Sequence, residues 1–507
     1  MKPTQDLFLL IQSLSASEKG YFKKYCLRNG EASSRNYIRL FDLVAGMKTY
    51  DEEALRGKIG EATMLRNLSS EKNYLFHLIL ESLVVSGSGQ SVAPEMEKEM
   101  LKARVLAEKA FYENAIRFAQ KVMTYCRKAD NFNLWLDALE LEIFIWPYLP
   151  ADTRREFDDV FNEKQSVLQN IMLVEKARYF HWQVMELYNV AGMGRSSGQM
   201  EKYERVYRSS RQFHEEQEGY LPVSARILCI NTEVFYHNIS GNLPASCGAL
   251  RQLIGLLESR SEMLAERMSL YISSINNLIL VLLYLKKHDE ALAEIDKLDN
   301  LKVSTPKSYN AAFVCRYNTR YELYAKQGKF SEAYLLSLKL KEELERQRNR
   351  IGLNFTIHIL YYSFRACFNA GKYKEALYWI NSILNSAKET VRQEALAMAR
   401  ISEIILHYEL GNSDILDNLV GSALRYMNRN NSLNEFECIM LDFFRKGLDE
   451  NDTRGSFARL KERICALEQH MLEQRVFSYF DFIAWAESKI EARPIAEILE
   501  RRLAAKA

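Results

Sequence analysis

From residue 95 onward, apolar residues recur three or four positions apart along nearly the whole chain, the period of an amphipathic helix. No segment alternates apolar with polar residues as a half-buried strand does. The clearest interruption is 86–94 (SGSGQSVAP), whose glycines and proline break the helical pattern. Ahead of it, Ser15-Ala-Ser-Glu18 has the form of a capping box, and helical patterns follow at 36–47, 51–59 and 69–83. Beyond it, Pro147, Pro150, Pro222, Pro244, Pro306 and Pro494 fall where helix interiors would not tolerate them, so they punctuate helices. The pattern predicts an all-α chain with a small helical domain at 1–85, a linker at 86–94, a long helical array at 95–455 and capping helices at 456–507.

A turn recurs within that array: a Gly, or a residue standing in for it, followed five positions later by a small residue that opens a new helix. Gly328-Lys-Phe-Ser-Glu-Ala333 and Gly371-Lys-Tyr-Lys-Glu-Ala376 are the best copies. Lys286 to Ala291 and Ala110 to Ala115 keep most of the pattern, and Gly241 to Ser246 and Gly411 to Leu416 are degenerate. From 241 to 411 the intervals are 45, 42, 43 and 40 residues, a repeat period. The stretch from 110 to 241 has room for three more periods, with turns expected near Asp152 and Gly198.

These residues resemble the tetratricopeptide repeat, whose two helices meet at a Gly-x-[Tyr/Phe]-x-x-Ala turn. The likeness covers roughly 95–450 and departs from the family in length, by about one extra turn per helix. The opening stretch from Leu14 to Phe22 is similar to the front end of bacterial repeat proteins. The resemblance implies a right-handed superhelix of stacked helical hairpins, a TPR-like α-solenoid whose concave groove binds a protein or peptide. Counting fifteen residues back from the small turn residue reaches Asn231, Asn276, Asn318 and Tyr361 in successive repeats. In tetratricopeptide arrays that part of the first helix lines the groove, where an Asn amide can both donate to and accept from a peptide backbone. Glu322 and Arg365, four residues further along their helices, share that face. Alternatively, the asparagines bond neighbouring helices inside the stack.

Composition narrows the function. Gly and Pro number only 21 and 8, and 68 basic against 66 acidic residues leave a net charge of +2, which argues against a chain built mainly to hold nucleic acid. The eight cysteines are never closer than eighteen positions, so no metal is expected from them. Gly194-Arg-Ser196-Ser-Gly198 matches a nucleophile elbow, but helical sequence precedes it where a strand would be needed, which leaves Ser196 in a loop. His214-Glu215 begins a zinc-site motif whose second histidine is missing. The charge run at 339–350 mixes both signs as a solvated helix face does. No catalytic residue, metal or cofactor is assigned, and the expectation is a non-enzymatic scaffold.

Three partner expectations remain. The first domain carries 12 basic and 10 acidic residues, and its cluster Lys19, Lys23, Lys24 and Arg28 leaves DNA binding, as in a peptide-responsive regulator, as the alternative function. The apolar stretch at 476–485 (VFSYFDFIAW) needs a cover, either the final helix at 494–503 or a homodimer contact. The opening residues lack a signal-peptide pattern and the most apolar run, 278–285, is far too short for a bilayer span, so a cytoplasmic location without membrane contact is expected.

Overall fold

A computed structural model describes the chain from Pro3 to Lys506 except for 29–33, 48–49, 60–64, 87–91, 192–196, 304, 347–352, 387–392, 431 and 469–472. Among the described residues all regular structure is helical, in twenty-five α-helices joined by short turns and a few 3-10 or π segments. The chain divides into two compact units. One comprises Met1–Glu95 with the short segments Ser304–Pro306 and Leu344–Gly352, and the other comprises the rest.

The first unit holds helices Pro3–Ser13, Ala16–Arg28, Ser34–Ala45, Glu52–Ile59 and Leu68–Ser86. Their apolar faces meet around Leu7, Ile11, Phe22, Phe41, Leu75 and Ile79, all essentially inaccessible to solvent. The capping box is formed in both directions: the Ser15 N–H donates to Glu18 at 2.7 Å, and the Glu18 N–H donates to Ser15 Oγ at 3.2 Å. Two donors that a helix start leaves orphaned are thereby satisfied. Helix Leu68–Ser86 takes in the first residue of the expected linker. The next helix, Val92–Glu108, takes in its last three, with Pro94 in the first turn where its missing N–H costs nothing.

In the second unit the recurrent turn is a helix C-cap. Ala110, Gly241, Lys286, Gly328, Gly371 and Gly411, the six positions named above, all have φ between +59° and +75°. At each, the following N–H returns to the carbonyl five residues back, as from Lys372 to Cys367 at 2.8 Å and from Lys287 to Leu282 at 2.9 Å. This is the Schellman arrangement, which satisfies the last carbonyls of the helix and reverses the chain. The small residue five positions on is buried each time: Ala115, Ser246, Ala291 and Ala376 are at 0% exposure and Ala333 at 4%. Helices Val223–Ser240 and Leu243–Glu258, Met268–Tyr284 and His288–Asn300, Leu353–Asn369 and Tyr373–Ser386, and Gln393–Glu409 and Leu416–Arg429 pack as such hairpins.

Between 132 and 216 the structure departs from a 44-residue period. A chain reversal does fall near Asp152, between helix Phe132–Ile145 and the next one, but that next helix runs unbroken from Phe157 to Ala191. Those 35 residues contain neither Gly nor Pro, so nothing in them stops a helix. Gly198 is the second residue of helix Ser197–Glu216. The long helix packs against Phe132–Ile145, Ser197–Glu216, Val223–Ser240 and also Gln393–Glu409.

The aromatic stretch near the C-terminus is not one helix. Glu473–Ser478 is a 3-10 turn, the Asp481 side chain caps the N–H of Ala484, and helix Phe482–Glu491 starts there. Val476, Phe480, Phe482 and Trp485 are buried. Phe480 packs on Phe364 and Phe368 at ring distances of 5.6 and 4.7 Å, and Trp485 packs on Phe457 at 5.2 Å and donates to Glu409 at 2.7 Å. Lys489 closes on the same carboxylate at 2.5 Å. The apolar surface that motivated a homodimer is therefore consumed within the chain.

Candidate peptide-binding cleft

Three of the six residues expected in a binding groove are brought together. Glu322, on helix Pro306–Lys326, and Tyr361 and Arg365, one helical turn apart on Leu353–Asn369, line a cleft of about 150 Å³ with Tyr188, Tyr284, His358, Tyr362 and Tyr479. A second cleft of about 240 Å³ shares Tyr284, Glu322 and Arg365 and adds Lys326 and Asn369. The ion pair thus stands in the wall common to both.

Glu322 is 3% exposed, and Arg365 Nη1 lies 3.3 Å from its Oε1. Burial opposes the Arg365 charge, but the carboxylate and the two neighbouring tyrosines more than offset it and raise the guanidinium pKa. The same carboxylate raises the Tyr284 phenol to about 12, with burial adding to the effect. Burial, followed by the Glu322 charge, pushes Tyr362 well above its ordinary value. Both phenols are neutral at physiological pH and serve as walls of the cleft. Arg365 stacks over Tyr362 at 5.5 Å and Lys326 over Tyr284 at 4.2 Å, within cation–π range. Among the described residues Arg365 has one hydrogen-bond acceptor, Glu322, although a guanidinium carries five N–H donors.

Tyr361 is less available than its position implied. Its hydroxyl donates to the Ala395 carbonyl at 2.7 Å and its ring meets the edge of Tyr479 at 5.3 Å. The asparagines do not line this cleft. Asn231 is half-buried, with Nδ2 3.4 Å from His181 Nε2 on the long helix. Asn276 and Asn318 are each 7% exposed, and the Oδ1 of each has no hydrogen-bond partner among the described residues. Asn276 Nδ2 donates only to Asn277, at 3.2 Å. An open ladder of amides requires accessible side chains, and these two are sealed. Helix Phe157–Ala191 lies against Val223–Ser240, the helix that carries Asn231, and against Gln393–Glu409.

Sequence reasoning missed Tyr188, Tyr284, Tyr362 and His358. Tyr188 sits on the long helix, outside any repeat register, and Tyr284 is eight residues beyond the counted position in its helix. Only Tyr362 and His358, adjacent to or one turn from Tyr361, were within reach of the counting. Ser196 lies outside the described residues. Burial lowers the His214 imidazole pKa, and no group of three or more metal-ligating side chains stands together among the described residues. In the first unit Lys23 is paired with Asp42 at 2.7 Å, which engages one of the four clustered cations. No described helix is long and apolar enough to cross a membrane. The chain matches no known family, no curated protein and no solved structure.

Proposed function

We propose that this chain is a non-enzymatic protein- or peptide-binding scaffold of the cytoplasm, a superhelix of tetratricopeptide-like hairpins whose receptor site is the tyrosine cleft around Glu322 and Arg365. The observation that carries the reading is the Arg365 guanidinium in the cleft wall, most of whose donors have no acceptor among the described residues. A buried ion pair contributes little net stability, since desolvation consumes its Coulombic gain. A guanidinium with spare donors is suited to a peptide carbonyl or carboxylate, which it binds in a fork geometry. The surrounding tyrosines supply large, rigid contact area with little side-chain entropy to lose.

The test uses a synthetic peptide array probed with the full chain and with the charge-neutral double variant Glu322→Gln/Arg365→Met, chosen so that no carboxylate is left buried alone. We expect a defined subset of peptides to bind the wild type and to lose at least tenfold in the variant. An array with no selected peptide, or identical selection by both proteins, refutes the assignment.

A further inference from the structure

Helix Phe157–Ala191 has two apolar faces. One is core: Val160, Val167, Val174 and Val184 are at most 7% exposed. The other consists of Phe157, Phe161, Met172, Tyr179 and Trp182, at 42, 46, 73, 53 and 64% exposure. At about 100° per residue these five fall within about 80° of arc, separate from the roughly 120° arc of the core valines, and extend along about 38 Å of helix. The ring of Trp146 lies 5.5 Å from Phe157 and adjoins the start of this row. A soluble surface seldom keeps so many large side chains in one row, and aromatic residues with Met are the types that anchor protein interfaces.

The charges beside the row select its occupant. Asp152, Glu156 and Asp158 are exposed at the Phe157 end, and none has an ion-pair partner among the described residues; Asp159, also exposed, is on the far side of the helix from the row. Of the two arginines between them, Arg155 is held by Glu142 and Glu163, and Arg154 lies flat on the Trp146 ring at 4.3 Å. This end keeps more negative than positive charge, although Arg154 retains its charge and Asp159 acts on Arg155. At the other end Arg178 is bonded to Glu175, and Lys176 sits over Phe180 at 5.1 Å.

We infer that this outer face of the long helix docks a basic amphipathic helix of a partner protein, laying an i, i+4, i+7 apolar stripe along Phe157 to Trp182 with Lys or Arg residues toward Asp152, Glu156 and Asp158. The inference rests on the scaffold reading but concerns a surface separate from the tyrosine cleft. The acidic rim disfavours an anionic lipid surface, which would repel the same carboxylates.

The probe is a fluorescein-labelled 22-residue helical peptide with leucines at that spacing and lysines flanking them, alongside a twin with every lysine replaced by glutamate. Anisotropy titrations against the full chain should give micromolar binding of the lysine peptide and at least tenfold weaker binding of its twin. Met172→Glu with Trp182→Glu should cost tenfold or more at unchanged thermal stability, because both side chains are exposed. Glu156→Lys with Asp158→Lys should narrow or invert the preference between the twins. The Glu322→Gln/Arg365→Met variant should bind the lysine peptide normally, so failure of the cleft and failure of this face are read separately. Equal affinity for both peptides, no binding, or binding untouched by the Met172 and Trp182 changes would overturn the proposal. So would a wild-type dimer dissolved by those changes in sedimentation velocity, or preferential binding to phosphatidylserine vesicles.

Discussion

Replacing Asn318 by leucine, a side chain of nearly the same shape, should stabilise the protein. In the structure the Asn318 Oδ1 is sealed from water and has no hydrogen-bond partner among the described residues, and Asn276 Oδ1 is in the same state. A buried acceptor left unpaired forfeits its solvation, at a cost of about 1–3 kcal/mol that folding does not recover. Leucine removes that cost and adds roughly 0.8 kcal/mol for each buried methylene-sized group it contributes. Against this stands an imperfect fit, typically about 1–3 kcal/mol when a core is overfilled and less for a near-isosteric change. The balance is a gain of about 1 kcal/mol at each site. In a chain of 507 residues the unfolding entropy is on the order of 1 kcal/mol/K, so such a gain moves Tm by only about 1 °C. Native-state hydrogen exchange of helices Met268–Tyr284 and Pro306–Lys326 is the better assay, since it reads local opening free energies. Slower exchange in Asn318→Leu and Asn276→Leu is expected. A loss of 1 kcal/mol or more in both would mean that each oxygen holds a bound water in solution, and the reasoning from unpaired acceptors would fail.

Trp485→Ala should cost about 3–5 kcal/mol, as large aromatic truncations in a core do, with the sedimentation coefficient unchanged; a wild-type dimer lost on substitution would restore an intermolecular role for the aromatic segment. Burial holds the His181 imidazole at about 4, below its ordinary 6.5, so between those values the unfolded chain takes up a proton that the folded chain refuses. Stability therefore falls as pH drops from about 6.5 towards 4, by on the order of 3 kcal/mol, and urea unfolding of His181→Phe should show a correspondingly flatter pH profile; parallel profiles would refute it. Lys286, at φ +59°, should gain about 0.5–1 kcal/mol on replacement by glycine, because relief of left-handed strain exceeds the added unfolded-state freedom. Gly371→Ala should lose about 1–2 kcal/mol by the same strain, although a Cβ there meets nothing within 4 Å; equal Tm values for wild type and both variants would contradict the cap argument.

The turns were legible because their chemistry is local. A left-handed residue followed by a small, buried one leaves a five-residue signature, strong enough to identify Lys286 and Ala110 where glycine is absent. Two further left-handed caps, at Asp130 and Ala492, lacked the small residue at the expected offset and were not recognised. What covers each helix face was not legible, because that is decided by contacts between segments far apart in the chain. Phe480 reaches Phe364 and Phe368, and Tyr188 reaches the surroundings of Glu322, across separations greater than one hundred residues. Register counting brought Glu322, Arg365 and Tyr361 to one place but carried no information about the long helix lying over their neighbours.

That self-coverage bears on where a partner is received. In a simple stack of hairpins the row of first helices is open, and recognition can be spread along it. Here helix Phe157–Ala191 packs on Val223–Ser240 and Gln393–Glu409, and Phe480 packs on Leu353–Asn369, so parts of that row are covered by segments far away in the sequence. The cleft at the Glu322–Arg365 pair is lined by Tyr188 from the first of these segments and Tyr479 from the second. A site composed from both covers and two repeats places its groups on elements that are each fixed by their own packing, which is the condition for a preorganised receptor. It also exposes the opposite face of the long helix, because a helix used as a lid turns one side inward and one outward. On our reading the two apolar faces of that helix are consequences of one arrangement: the inner face closes the row, and the outer face, with Met172 and Trp182 exposed, is left for a partner.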